Sequence, residues 1–161
     1  DPDSERLNLL KAFDDFISLQ GLAFSDDGDI LFFADYRRGL YRMDMKSGAV
    51  QAFENGPDYS LMGIDGLYFY KNSLISIHNG IRPKRIMQLY LNENYNRITS
   101  FRYLERANPI LEEPTLGVLV GDQFYYVANS SWPRYDQDGN IGPESIHPVP
   151  LIMKIDLNQK D

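Results

Sequence analysis

Cysteine is absent from the 161 residues, which removes disulfides, thiolate metal sites and cysteine nucleophiles together. Histidine is nearly absent: His78 and His147 stand far apart, so no closely spaced pair offers a zinc motif. Long apolar runs are missing too. The longest, Ile30–Ala34 and Phe124–Ala128, cover five residues each, too few for a transmembrane helix. Positive charge is scarce, with 16 Lys plus Arg against 23 Asp plus Glu and a net charge of −7. A nucleic-acid partner demands concentrated positive charge, and an anionic membrane surface would repel this chain. No phosphate-cradling glycine loop, nucleophile elbow or metalloprotease helix motif is present. The opening Asp1-Pro2-Asp3-Ser4-Glu5-Arg6 carries neither an initiator Met nor an apolar leader core. The chain is therefore expected to begin partway along a longer product, and its compartment stays unassigned.

What is present is β-forming sequence. Hydrophobic residues make up 43% of the chain and aromatics 13%, enough for a packed core. Gln20–Phe24, Asp29–Asp35, Gly39–Met45 and Ala49–Phe53 are short apolar or alternating runs. Ser25-Asp-Asp-Gly28 and Lys46-Ser-Gly48 supply tight turns between them. Four such runs predict an antiparallel meander.

The pattern recurs in Asp65–Phe69, Ser73–His78, Arg85–Leu91 and Arg97–Leu104. A third copy opens at Thr115–Val120, continues with Gln123–Ala128 and resumes at Leu151–Leu157. Gly21, Gly66 and Gly117 are equivalent positions, 45 and 51 residues apart. A four-stranded unit with a period near 45 is the mark of β-propeller blades. The expected fold is all-β: blades at 17–56, 62–105 and 114–157, the last interrupted by an insertion at 129–150. Residues 1–16 read as the outer strand of a preceding blade, over Leu7–Phe13, or as a short helix. Propellers close with four to eight blades, so about three blades amount to half a ring. Further sequence or another chain is needed to complete it.

Gln20-Gly-Leu-Ala-Phe-Ser-Asp-Asp-Gly28 through Tyr41-Arg-Met-Asp44, together with Ile64-Asp-Gly-Leu67, resemble the six-bladed propellers of the senescence-marker-protein/gluconolactonase family. The strictosidine-synthase-like and NHL-repeat proteins share the likeness, and the part resembled is the C-terminal half. The resemblance implies a divalent cation, usually calcium, at one mouth of the central channel. Its ligands are implied just before the Gly-Leu of successive inner strands. That position is Asp65 in one blade. In the other it is Gln20, where the family typically carries Asn.

Strand geometry singles out the same end of the molecule. In an antiparallel hairpin the start of the first strand and the end of the second lie at one edge. Gln20, Asp65 and Thr115 are thereby expected beside Asp35, His78, Asn79 and Asn129. A carboxylate suits a hard cation, and a histidine at a channel mouth suits a general base. Asp65 and His78 are the candidate catalytic pair, and Asp65 and Gln20 the candidate metal ligands. Asp35, Asn79, Thr115, Asn129, Trp132 and Tyr135 are candidate substrate contacts. Each has a structural alternative: Asx residues cap turns, and a strand-end histidine can bridge blades. The insertion holds the sole tryptophan, Trp132. With Tyr135 it is expected to cover the face bearing Asp65 and His78; the alternative is a loop leaning outward. Asp136-Gln-Asp-Gly-Asn140 reads as a turn rather than a calcium loop.

Two functions remain open on these grounds. One is a cation-assisted hydrolase of lactones or related esters, acting on a lactone or sugar-like ligand. The other is a non-catalytic propeller module binding a protein or glycan partner.

Overall fold

The computed structural model describes residues 7–141 and 149–159. Eleven strands form three antiparallel sheets, each a simple meander. The first contains β1 (Leu19–Phe24), β2 (Ile30–Asp35), β3 (Gly39–Asp44) and β4 (Val50–Ala52). The second contains β5 (Ile64–Tyr70), β6 (Ser73–His78), β7 (Arg85–Leu91) and β8 (Ile98–Arg106). The third has β9 (Gly117–Val120), β10 (Gln123–Val127) and β11 (Ile152–Asp156), with no fourth strand among the described residues. No α-helix occurs among them; a short 3-10 turn spans Trp132–Arg134.

Side-chain alternation tells how the sheets stack. Residues paired across antiparallel strands share a face. One face of the second sheet sets Leu74, Met87 and Leu89 against Phe32 and Leu40 of the first. Its other face sets Ile75, Ile77 and Ile86 against Phe124 and Tyr126 of the third. The middle sheet is thus apolar on both faces, which explains why β6 is buried along its whole length. The first strands of the three sheets sit side by side, whereas β4 and β8 splay apart around an open cleft of about 820 Å3. Three blades fanning from a common inner edge are the β-propeller arrangement.

The glycines of the repeat have a steric reason at that inner edge. A Cβ on Gly21 would sit 2.5 Å from the Leu67 backbone nitrogen, and one on Gly66 would sit 3.0 Å from the Thr115 carbonyl oxygen. Only glycine lets the inner strands come this close.

Polar locks tie the second and third blades at the opposite end. Asp122 accepts hydrogen bonds from Tyr70 Oη and Lys71 Nζ, both at 2.6 Å, and from Asn158 Nδ2 at 2.8 Å. Arg102 reaches the carbonyls of Leu157 and Gln159.

The N-terminal segment departs from expectation. Leu7–Phe13 forms neither strand nor helix. It is instead an irregular strap anchored by rings. Phe13 and Phe16 pack on Phe33 at 5.4 and 5.3 Å, and Phe16 on Tyr41 at 4.7 Å. This covers the outer face of the first blade only in part, leaving Leu22 and Phe24 exposed. On the far side of the fan Val118, Val120 and Ile152 are exposed as well.

Candidate functional site

A defect in strand pairing builds the site. Ile64 pairs with His78 and Gly66 with Ile77, so Asp65 is the extra residue of a β-bulge. A bulge re-aims the side chain it carries, and here it turns Asp65 toward polar partners from its own blade and the third. Thr115 Oγ1 donates to Asp65 Oδ2 at 2.6 Å and Asn79 Nδ2 to the same oxygen at 3.1 Å. Asn79 Nδ2 also reaches the Pro114 carbonyl at 2.9 Å, and its Oδ1 accepts from Tyr36 Oη at 2.8 Å. Asp65 Oδ1 has no protein donor among the described residues.

Other charges surround this network. Glu113 pairs with Lys84 at 3.7 Å. Burial, then the charges of Asp65 and Glu113, raise the Tyr36 phenol above its ordinary range, so it stays a neutral donor. Tyr68, whose oxygen accepts the Gly117 N–H at 2.6 Å, is raised chiefly by burial. Three of the expected residues, Asp65, Asn79 and Thr115, are therefore joined in one hydrogen-bonded cluster.

The remaining candidates have other environments. His78 is fully buried. Its Nδ1 lies 3.1 Å from the Met62 carbonyl, which can only accept, so Nδ1 carries the proton. Nε2 then accepts from Ser76 Oγ at 2.9 Å. Burial pushes the imidazole down to about 3, leaving it neutral, sealed and without a free lone pair. Register puts His78 on the face with Leu74 and Ser76, toward the first blade rather than the channel.

Asp35 is also fully buried, and its carboxylate accepts the N–H groups of Ile17, Ser18, Arg37 and Arg38 at 2.7–3.1 Å. Burial alone would raise it, but those four donors outweigh burial and hold it below the usual carboxylate range. Its evident work is fixing the strap and the β2–β3 turn. Asn129 is buried within its own loop, donating to the Val149 carbonyl and accepting from Ser131. Gln20 is exposed and donates to Ser18 Oγ at 3.1 Å.

The Trp132 ring is 68% exposed and meets Tyr135 edge-on at 6.2 Å. An indole so exposed packs on little of the chain besides Tyr135 among the described residues. Asp136 accepts N–H groups from Asp138 and Asn140, as a turn does. Residues 142–148 of the insertion lie outside the described residues.

Calcium takes six to eight oxygen ligands. No three His, Cys, Asp or Glu side chains converge among the described residues, and Gln20 bonds Ser18 rather than Asp65. These residues alone do not fit a calcium ion.

Sequence reasoning missed Tyr36 and the Pro114 carbonyl. Tyr36 follows the strand-end Asp35, and an aromatic next to a strand end was the available signal; nothing in the sequence marks a proline carbonyl.

No protein-family model matches the chain, and no curated protein matches it. Solved structures do. A chain of the nidogen/laminin complex superposes with TM-score 0.56 at 15% identity, over 84% of this chain and 43% of that one. The soluble aldose sugar dehydrogenase of Escherichia coli in its apo form gives 0.55 at 16%, over 73% and 39%. A luciferin-regenerating enzyme gives 0.53 at 13%, over 88% and 45%. The chain spans less than half the length of each. These neighbours are β-propeller proteins, and at such identities the likeness carries the fold alone: this chain is a partial β-propeller.

Proposed function

We propose that the Asp65 cluster is the mouth of a propeller channel that binds a lactone or sugar-like small molecule. One observation carries this reading. The Asp65 carboxylate is fixed through Oδ2 by donors from two blades, while Oδ1 has no protein donor among the described residues. A held carboxylate oxygen of that kind accepts a ligand hydroxyl well. In a hydrolytic cycle it would also be the group to take a proton from attacking water. The fold neighbours include enzymes, the aldose sugar dehydrogenase and the luciferin-regenerating enzyme, beside a chain of the nidogen/laminin complex, so the fold accommodates either kind of role. A cation, if the complete ring holds one, would need ligands from blades outside this chain. The exposed apolar faces of the first and third blades would be covered by those blades, from further sequence or a second chain.

A second reading rests on His78. With its imidazole sealed, the cluster has no histidine base among the described residues, which favours a module that binds a protein or glycan without chemistry. One experiment separates the two. Lactone turnover and calcium-dependent thermal shift are measured on the complete ring and on its Asp65→Asn form. Loss of turnover in the variant supports the enzyme; ligand binding without turnover in either form leaves the binding module. Unchanged turnover and unchanged ligand affinity in Asp65→Asn would remove the site itself.

A further inference from the structure

Away from the channel mouth, three basic residues form a row across the second blade. His78 pairs with Arg85, and Arg85 with Arg106, on adjacent strands β6, β7 and β8. Paired residues share a face, and like charges directly opposite one another are destabilising. Arg85 is nevertheless only 6% exposed, and its Nε is shut off from solvent without a hydrogen-bond partner. Among the described residues the ion pairs are Lys71–Asp122 and Lys84–Glu113. Neither guanidinium therefore has a carboxylate of a described residue within 4.0 Å. The adjacent acid, Glu105, is engaged by the Arg106 backbone N–H at 3.0 Å and by Asn108 Nδ2 at 3.1 Å.

The second cation is held as well. The Arg106 guanidinium lies over the Tyr103 ring at 4.6 Å, and the Tyr103 hydroxyl donates to the Asp58 carbonyl at 3.3 Å. Burial, with the Arg106 charge adding to it, works against the charged form of Arg85, yet a guanidinium stays protonated in proteins. Its Nε is cut off from solvent without a partner, and a guanidinium desolvated in part with no carboxylate beside it costs the fold stability. His78, neutral and engaged, offers it no relief.

We propose that Arg85 and Arg106 form an oxyanion site where β7 begins and β8 ends, and that it takes a phosphate group. A guanidinium matches phosphate through its planar fork of N–H donors. Two opposed cations call for a dianion, since a single carboxylate would leave one of them uncompensated. The group is borne by a free ion or by a small phosphomonoester. The site shares no residue with the Asp65 cluster and stands or falls apart from it.

The test is a thermal-shift titration of the chain with inorganic phosphate, and in parallel with glycerol phosphate, chloride keeping ionic strength constant. The melting midpoint is expected to rise saturably with phosphate. Arg106→Gln, an exposed position, is expected to raise the half-maximal concentration about tenfold or more. Arg85→Met is expected to melt no lower than the parent without phosphate, because it removes a guanidinium whose Nε is buried without a partner, and to lose the phosphate response. A response to glycerol phosphate as well extends the site to monoesters; a response to inorganic phosphate alone restricts it to the free ion. A shift no larger than chloride produces, or one unchanged in Arg106→Gln, overturns the proposal.

Discussion

Thr115 Oγ1 stands 2.6 Å from Asp65 Oδ2, a charge-assisted hydrogen bond between the entry to β9 and the bulge of β5. It ties the third blade to the second at the end where their inner strands meet. Asn79 and Tyr36 extend the same connection to the first blade. One carboxylate therefore serves as a joint between blades and, in the function proposed above, as the polar feature of the channel mouth. On that proposal, changes here move stability and binding together, and the experiments must separate them.

Thr115→Val keeps the shape and removes the donor. A hydrogen bond to a charged group contributes roughly 1.5–3 kcal/mol, so the variant is expected to lose about 2 kcal/mol in chemical denaturation. Thr115→Ser is expected to retain most of it. A loss in Thr115→Ser with none in Thr115→Val would mean that the methyl group, not the hydroxyl, matters.

Gly21→Ala tests the convergence of the inner strands. The added Cβ would meet Leu67 N at 2.5 Å and Leu67 Cβ at 2.7 Å, and neither atom lies at the end of a flexible chain. Overpacking typically costs about 1–3 kcal/mol, and a loss at the upper end of that range is expected. Gly28→Ala is the contrast: its Cβ would meet nothing within 4 Å, but its φ of +75° would be strained. A Gly21→Ala protein as stable as the parent would mean that the inner strands are not so tightly apposed.

Particular residues show what the sequence could and could not reveal. β6 and β7 were legible to the residue, because turn chemistry at Lys71-Asn72 and the apolar runs beyond it leave little choice. Asp65 was legible through the Asp-Gly-Leu phrase, although not the bulge that turns it. His78 was misplaced for a plain reason. Its position at a strand end fixes which edge it occupies, whereas strand alternation decides whether it faces the channel or the neighbouring blade. The strap eluded the sequence because Phe13 and Phe16 find partners, Phe33 and Tyr41, far along the chain. No local pattern marks such contacts.

Asp122 gives a pH signature. Hydrogen bonds from Lys71, Tyr70 and Asn158 hold its carboxyl well below the usual range. A depressed carboxylate stabilises the fold above its unfolded value, near 3.9, and that stability is lost as pH falls through the lower folded value. Asp122→Asn is therefore expected to melt below the parent at pH 6, with the gap closing as pH falls below about 4. A gap that stays constant down to pH 2 would assign the effect to shape rather than charge.

His78 gives the opposite kind of group a matching test. Its folded value of about 3 lies under an unfolded value near 6.5. Between those two, the unfolded chain binds a proton that the folded chain refuses, so stability rises with pH across that window. The contribution is complete above about pH 6.5 and is lost as pH falls toward 3, with a slope of about 1.4 kcal/mol per pH unit. Denaturation between pH 5 and 6.5, where carboxylates interfere least, is expected to show this slope in the parent. His78→Gln is expected to lose it. Nitrogen-detected NMR should find the His78 ring neutral, protonated at Nδ1 and without a titration step from pH 5 to 8. A ring that titrates near 6.5 in the folded chain would return His78 to the list of available bases. It would also remove the strongest observation in favour of a binding module.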